Sequence, residues 1–306
     1  MANLIRKPLV KARSRFYDSS LWNDYRPRPD DIIIAKYPKC GTTWMQRIVG
    51  MLIFQSDAPF PVQESAPWPD IRIARPDMWI GLAESQTHRR FLKTHLPYDS
   101  LPIYEGVKII HVGRDGRDAA MSFHNHKFNF TDDFIAAVTQ ISLADPKFGT
   151  PYQATDADPA QHFHEWVTGE ADHMGDLACG FWHLENSYWD ARSEPNVLLV
   201  HYADLKAALD DEMRRIADFL EIEVSESLWP KLVEAASFES MKSKADELLP
   251  SASHVWHGGA DTFMHKGTNG RWREVFHQDD LALYDAKVEE AFSPELAHWI
   301  EFGRLG

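Results

Sequence analysis

The chain has 306 residues, with 32 basic and 46 acidic side chains for a net charge of −14, and is 44% hydrophobic, 25% charged and 12% aromatic. That composition is globular rather than disordered or fibrous, and the negative balance, with a sequence pI of about 5.5, excludes a sequence-independent grip on nucleic acid or anionic lipid, which needs a net basic face. Only Cys40 and Cys179 are present, which excludes a disulfide framework or multi-cysteine zinc site, suits a reducing compartment, and reads as two buried thiols.

Met1 to Phe16 is basic but has no apolar run or small-residue cleavage site, so it reads as neither leader nor anchor. Asp31 to Tyr37 predicts a buried strand, and behind it Trp44, Met45, Ile48, Val49, Leu52 and Ile53 recur on one helical face. A proline-rich stretch follows (Pro59, Pro61, Pro67, Pro69), inside a mobile cover at about 55–70. Arg90 to His95 and Val107 to Val112 are two further strands. A polar stretch marks a second cover at about 143–161, and Val197 to His201 is a fourth strand. After it Leu205, Leu209, Met213, Ile216 and Leu220 repeat at helical spacing. The Ser, His and Gly-rich stretch 250–270 reads as a lid, because structureless loops of that length in a compact domain are usually covers. The acidic residues Asp210, Asp211 and Glu212, and Asp285, Glu289 and Glu290, read as solvated faces.

Such βα alternation predicts an α/β fold: a single domain over 1–306 with its core at about 31–276, a central parallel sheet flanked by helices, and ligands outside the carboxyl ends of the strands. No segment approaches the roughly 20 apolar residues of a membrane span, and with the cysteine usage this points to the cytoplasm.

The strongest chemical signal is Ala35-Lys36-Tyr37-Pro38-Lys39-Cys40-Gly41-Thr42-Thr43-Trp44, a strand entering a tight turn and then a helix. Such a P-loop-like turn aims backbone N–H groups at one point, the helix N-terminus adds partial positive charge, and Lys39 adds a full one, which suits a phosphate. It is not a Walker A loop, since lysine precedes the only glycine, and this disfavours a magnesium-dependent phosphotransferase. His95 ends a strand, with Lys93 two residues earlier on the same side.

These residues resemble the cytosolic sulfotransferases that use 3′-phosphoadenosine 5′-phosphosulfate (PAPS). The loop is similar to YPKSGTTW, Leu92-Lys93-Thr94-His95-Leu96-Pro97 to KTHLP, and Arg114 with Ser122 to the 3′-phosphate motif. Tyr202-Ala203-Asp204-Leu205-Lys206 resembles YEDLK, Ser237-Phe238-Glu239-Ser240-Met241-Lys242 resembles SFxxMK, and Phe263-Met264-His265-Lys266-Gly267 with Gly270 and Trp272 resembles FMRKGxxGxW. All six stand in family order across roughly Asp31 to Phe276.

The resemblance implies a metal-free transfer of the sulfuryl group to a hydroxyl of a small-molecule or lipid-like acceptor, leaving 3′-phosphoadenosine 5′-phosphate (PAP). Lys39, Cys40, Gly41, Thr42 and Thr43 would hold the 5′-phosphosulfate, Lys39 would balance charge on the bridging oxygen, Lys93 would touch the transferring group, and His95 would be the general base. Trp44 and Phe238 would flank the adenine, with Tyr202 at its edge. Arg114, Ser122, Lys266 and Gly267 would hold the 3′-phosphate, within a donor-binding segment that includes Phe263, Met264 and His265; Ser122 counts among the catalytic residues too.

Taken singly, Trp44 fits a core residue, His95 a hydrogen-bonded strand end, and Arg114 a surface partner of Asp115 or Asp118. The pairs His124 with His126 and His162 with His164 have no evident third ligand for a metal. The chain also departs from the family. Cys40 replaces serine, Ala236 stands where threonine precedes SF, and His265 replaces arginine, exchanging a permanent cation for a titratable clamp. Glu274 to Gln278 does not match the family dimer motif, so no oligomeric state is implied. The stretch Asn129 to Gln161 is long enough to help build a large acceptor pocket. A non-catalytic nucleotide- or carbohydrate-binding protein on the same fold is the other rival, and the joint presence of Lys39, Lys93 and His95 argues against it.

Overall fold

The computed structural model describes residues 2–73, 76–155, 157–169 and 180–306, so Cys179 and part of the second cover lie outside the described residues. Among the described residues the strands are β1 (Leu4–Arg6), β2 (Ile32–Ala35), β3 (Phe91–Thr94), β4 (Ile103–Tyr104), β5 (Lys108–Gly113) and β6 (Val197–His201). The four expected strands form one parallel sheet in the order β3-β2-β5-β6, while β1 and β4 pair antiparallel apart from it. Ile34 of β2 sits opposite Lys93 on one side and Ile110 on the other, so the strands end together. The residues just past those ends are Lys36, His95, Arg114 and Tyr202, which puts four motifs on one edge.

Alternation along the strands divides the core between two layers. Ile33, Leu92 and Ile109 face one cluster with Phe181, Leu184 and Leu296, and Ile32, Ile34 and Ile110 face the other with Ile48, Leu52 and Ile216. Burial on both faces is why these runs are apolar throughout, each such side chain contributing roughly 1.5–3 kcal/mol.

The helical repeat at 205–220 is divided: Tyr202–Ala207 and Leu209–Leu220 are separate helices, parted at Ala208 with φ −144° and ψ 61°. Glu212 is not on a solvated face but buried, bonded to Arg215 at 2.7 Å and to Arg304. The stretch 250–270 is not structureless either. It holds a 3₁₀ turn at Ala252–His254 and a helix at Gly259–Met264, and Leu249, Ala252, Trp256 and Ala260 are buried in a third cluster with Phe130 and Val138. Among the described residues no helix is long and apolar enough to cross a membrane.

Candidate active site

The turn between β2 and the helix Thr42–Phe54 takes positive φ at Lys39 (69°) and at Gly41 (99°), alternation of the kind anion-binding nests use, with the Cys40 N–H donating to the Tyr37 carbonyl at 3.3 Å. Gly41 is required there: a Cβ would lie 3.1 Å from the Tyr202 ring. Lysine in that region is strained by roughly 1–2 kcal/mol, a cost tolerated where the side chain has work to do. Its Nζ stands 4.0 Å over the Phe263 ring and 3.5 Å from His126 Nδ1. Burial, with Arg114 and Lys93 nearby, lowers the Lys39 pKa to about 7. The Cys40 thiol points away beneath the loop, buried, with its pKa pushed up to about 12 by burial.

His95 Nδ1 lies 2.8 Å from the Lys36 carbonyl. A carbonyl only accepts, so Nδ1 carries the proton and Nε2 keeps its lone pair. Burial and the neighbouring Lys36 and Lys93 hold its pKa well below the ordinary histidine value, so the ring rests neutral. Lys93 Nζ stacks 3.8 Å over Trp68, whose ring also meets His95 edge-on at 4.8 Å. Trp68 is anchored in turn by its Nε1–H to Asp70 at 2.7 Å. Burial brings Lys93 to about 8, partly offset by Asp70.

Arg114 does not pair with Asp115, which Arg117 engages; it donates to the Lys39 carbonyl and to Asn269 at 2.9 Å each, and its guanidinium lies 4.2 Å over Tyr202. Its Nε is buried without a partner among the described residues, an unspent donor that suits an anion. Trp44 donates to the Ala236 carbonyl at 2.8 Å and meets Tyr202 edge-on at 5.3 Å, so the alanine departure still leaves the indole fixed through the backbone. Gly267 (φ 61°) is filled by Phe238: a Cβ there would sit 2.4 Å from that ring.

His265 has a cationic partner of its own. Its Nδ1 accepts from Arg271 at 2.8 Å, and burial together with Arg271 lowers its pKa in the free protein. Lys266 is exposed and is not among the residues that line the cavity, whereas Thr42, Thr43, Ser122, Phe263, Met264 and Gly267 line it.

These side chains enclose one continuous cavity of about 440 Å³. Its lining combines the cations Lys39, Lys93, Arg114, Lys206 and Arg271 with the aromatic rings of Phe16, Phe123, Phe130, Phe134 and Trp256, and His95 lines it too. Among the described residues no group of three or more potential metal ligands gathers, and His126 faces Lys39.

The sulfotransferase-domain profile matches residues 29–294. The chain belongs to the sulfotransferase family. A glycolipid sulfotransferase of Mycobacterium bovis is 32% identical over 317 residues, covering 97% of this chain and 95% of that one. Sulfotransferase 1B1 of the dog is 30% identical over 88% of this chain and 86% of its own. Among solved structures, mouse sulfotransferase SULT7A1 complexed with PAP superposes with a TM-score of 0.68 at 22% identity, over 92% of this chain and 90% of that one.

For this sulfotransferase, sequence reading missed Trp68, Asp70 and Arg271, and read His126 only as a weak metal ligand. Trp68 and Asp70 sit in a proline-rich stretch with no periodicity, and only folding brings them to Lys93 and His95.

Proposed function

We propose that this sulfotransferase binds PAPS with its 5′ end on the Lys39–Trp44 turn, its adenine between Trp44 and Phe238, and its 3′-phosphate toward Arg114 and Ser122. PAPS supplies an activated sulfuryl group on a phosphate leaving group. The acceptor hydroxyl attacks sulfur while the bond from sulfur to the bridging oxygen breaks; His95 Nε2 takes the hydroxyl proton, and Lys39 offsets charge on the departing phosphate oxygen. Lys93 orients the group in transfer. The nest, the unpaired Arg114 Nε and the ring packed on Gly267 fit such a donor.

The observation that carries this reading is His95: a neutral imidazole with a free Nε2 lone pair, beside Lys36 and Lys93, both of lowered pKa, lining a cavity of cationic and aromatic side chains. The aromatic lining favours an apolar or lipid-like alcohol, in keeping with the glycolipid enzyme among the relatives. We read 1–306 as one domain, with 250–270 moving as a cover over the cavity it lines, acting in the cytoplasm, where a free Cys40 is stable.

Calorimetric titration with PAP, ATP and adenylyl sulfate tests the donor. PAP should bind far more tightly than either, without magnesium. Equal, magnesium-dependent binding of ATP would overturn the reading in favour of a phosphotransferase.

A further inference from the structure

The segment that lines the donor end carries a neutral histidine where the resemblance calls for a permanent cation, and a second side chain reaches the same point. Arg271 begins the 3₁₀ turn Arg271–Glu274, directly after Gly270, whose φ is 79° and whose N–H donates to Asp118 Oδ1 at 2.8 Å. That clasp ties the start of the turn to the helix Gly116–Phe128, which also bears Ser122. From there the guanidinium turns back, and its NH1 donates to His265 Nδ1 at 2.8 Å. Arg271 lines the cavity with Arg114, Ser122 and Gly267.

Its charge is not neutralised. Among the described residues its one hydrogen bond is to a neutral imidazole, and no carboxylate pairs with it, whereas neighbouring Arg273 stacks on its own Trp272 at 4.5 Å. An arginine has five N–H donors in a fixed fork that matches phosphate, so four remain for a ligand. Such a half-buried cation beside other cations is placed to receive an anion.

We propose that Arg271 is the fixed cation that grips the 3′-phosphate of the donor, and that His265 acts as a neutral positioning residue that aims it. This rests on the donor reading above. His265 Nδ1 occupies one N–H and orients the fork, while Lys242 Nζ holds the His265 carbonyl at 2.7 Å and Lys206 Nζ holds the Gly267 carbonyl at 2.8 Å, fixing the segment the histidine sits on. The cation has moved six residues along the chain and reaches the same space by a turn.

The test compares PAP with adenosine 5′-phosphate, which lacks only the 3′-phosphate, by calorimetry on wild type, Arg271→Gln, Arg271→Lys and the double variant His265→Arg/Arg271→Gln. Arg271→Gln should lose roughly 10- to 100-fold in PAP affinity, with 5′-phosphate affinity unchanged within about threefold. Arg271→Lys, which keeps charge without the fork, should fall between, and the double variant should regain most of the preference by restoring a guanidinium at 265. A wild-type preference for PAP that survives intact in Arg271→Gln and Arg271→Lys would overturn the proposal while leaving the donor reading standing. No PAP preference in wild type would instead overturn the donor reading.

Discussion

At the scale of single residues, His95 illustrates how burial selects a role. A solvated histidine would be partly protonated near neutral pH; here burial and two neighbouring lysines keep the ring neutral, at some cost in basicity, and the Lys36 carbonyl fixes the proton on Nδ1. In the free protein the lone pair is therefore on Nε2. Asparagine at this position can still donate its amide to the Lys36 carbonyl but offers no basic nitrogen. His95→Asn should lower kcat by roughly 10²- to 10⁴-fold while leaving the PAP dissociation constant within about threefold. Turnover assays with several alcohols beside a PAP titration check this. Retention of most activity with every acceptor would return His95 to a structural role. His126, which sequence alone offered as half a metal pair, is instead the neutral neighbour that receives the Lys39 N–H, with its own pKa held well below normal by burial and by Lys39 and Lys93. Its meaning was illegible because the contact joins residues 87 positions apart.

Among the elements, the segment 263–270 brings Phe263, Met264, His265 and Gly267 to the cavity. Gly267 adopts positive φ, and Phe238 fills the space a side chain would take. Gly267→Ala should therefore strain the backbone by roughly 1–2 kcal/mol and push the Phe238 ring from its place, losing stacking of about 1–3 kcal/mol on the adenine. The expected result is a loss of about tenfold or more in PAP affinity, read by titration, with a melting temperature lowered by less than about 5 °C. Unchanged affinity would show that Phe238 does not touch the adenine. The strands were legible because both their faces are buried, but the first two sequence runs overshoot them: backbone pairing ends at Ala35 and Thr94, and His95 leaves the ladder to line the cavity. The 250–270 stretch hid its structure for the opposite reason. Its helical pieces span three and six residues, too short to show a period, and their stability comes from packing on Phe130 and Val138.

Over the whole molecule, a net charge of −14 coexists with a cavity lined by Lys39, Lys93, Arg114, Lys206 and Arg271. The composition could not reveal this concentration, because folding gathers residues spread from 39 to 271. Crowded, buried cations shed protons: Lys39 falls to about 7 and Lys93 to about 8 in the free protein. An anionic ligand reverses the balance, because its charge raises both values on binding. The sign follows directly. Affinity is fullest below the free-state values, where both lysines already carry protons, and declines as pH rises through about 7 to 8 until the higher bound-state values are reached. At pH 8 the phosphates of PAP are fully ionised and contribute little, while Lys39 is mostly neutral and Lys93 about half so, which makes binding take up about one to one and a half protons. Calorimetry in buffers of different ionisation heat counts them. Uptake should fall to about half a proton in Lys39→Gln, leaving the share of Lys93. Binding to wild type at pH 8 without proton uptake would mean that both lysines are charged before the ligand arrives, and that the cavity stays wet enough to solvate them.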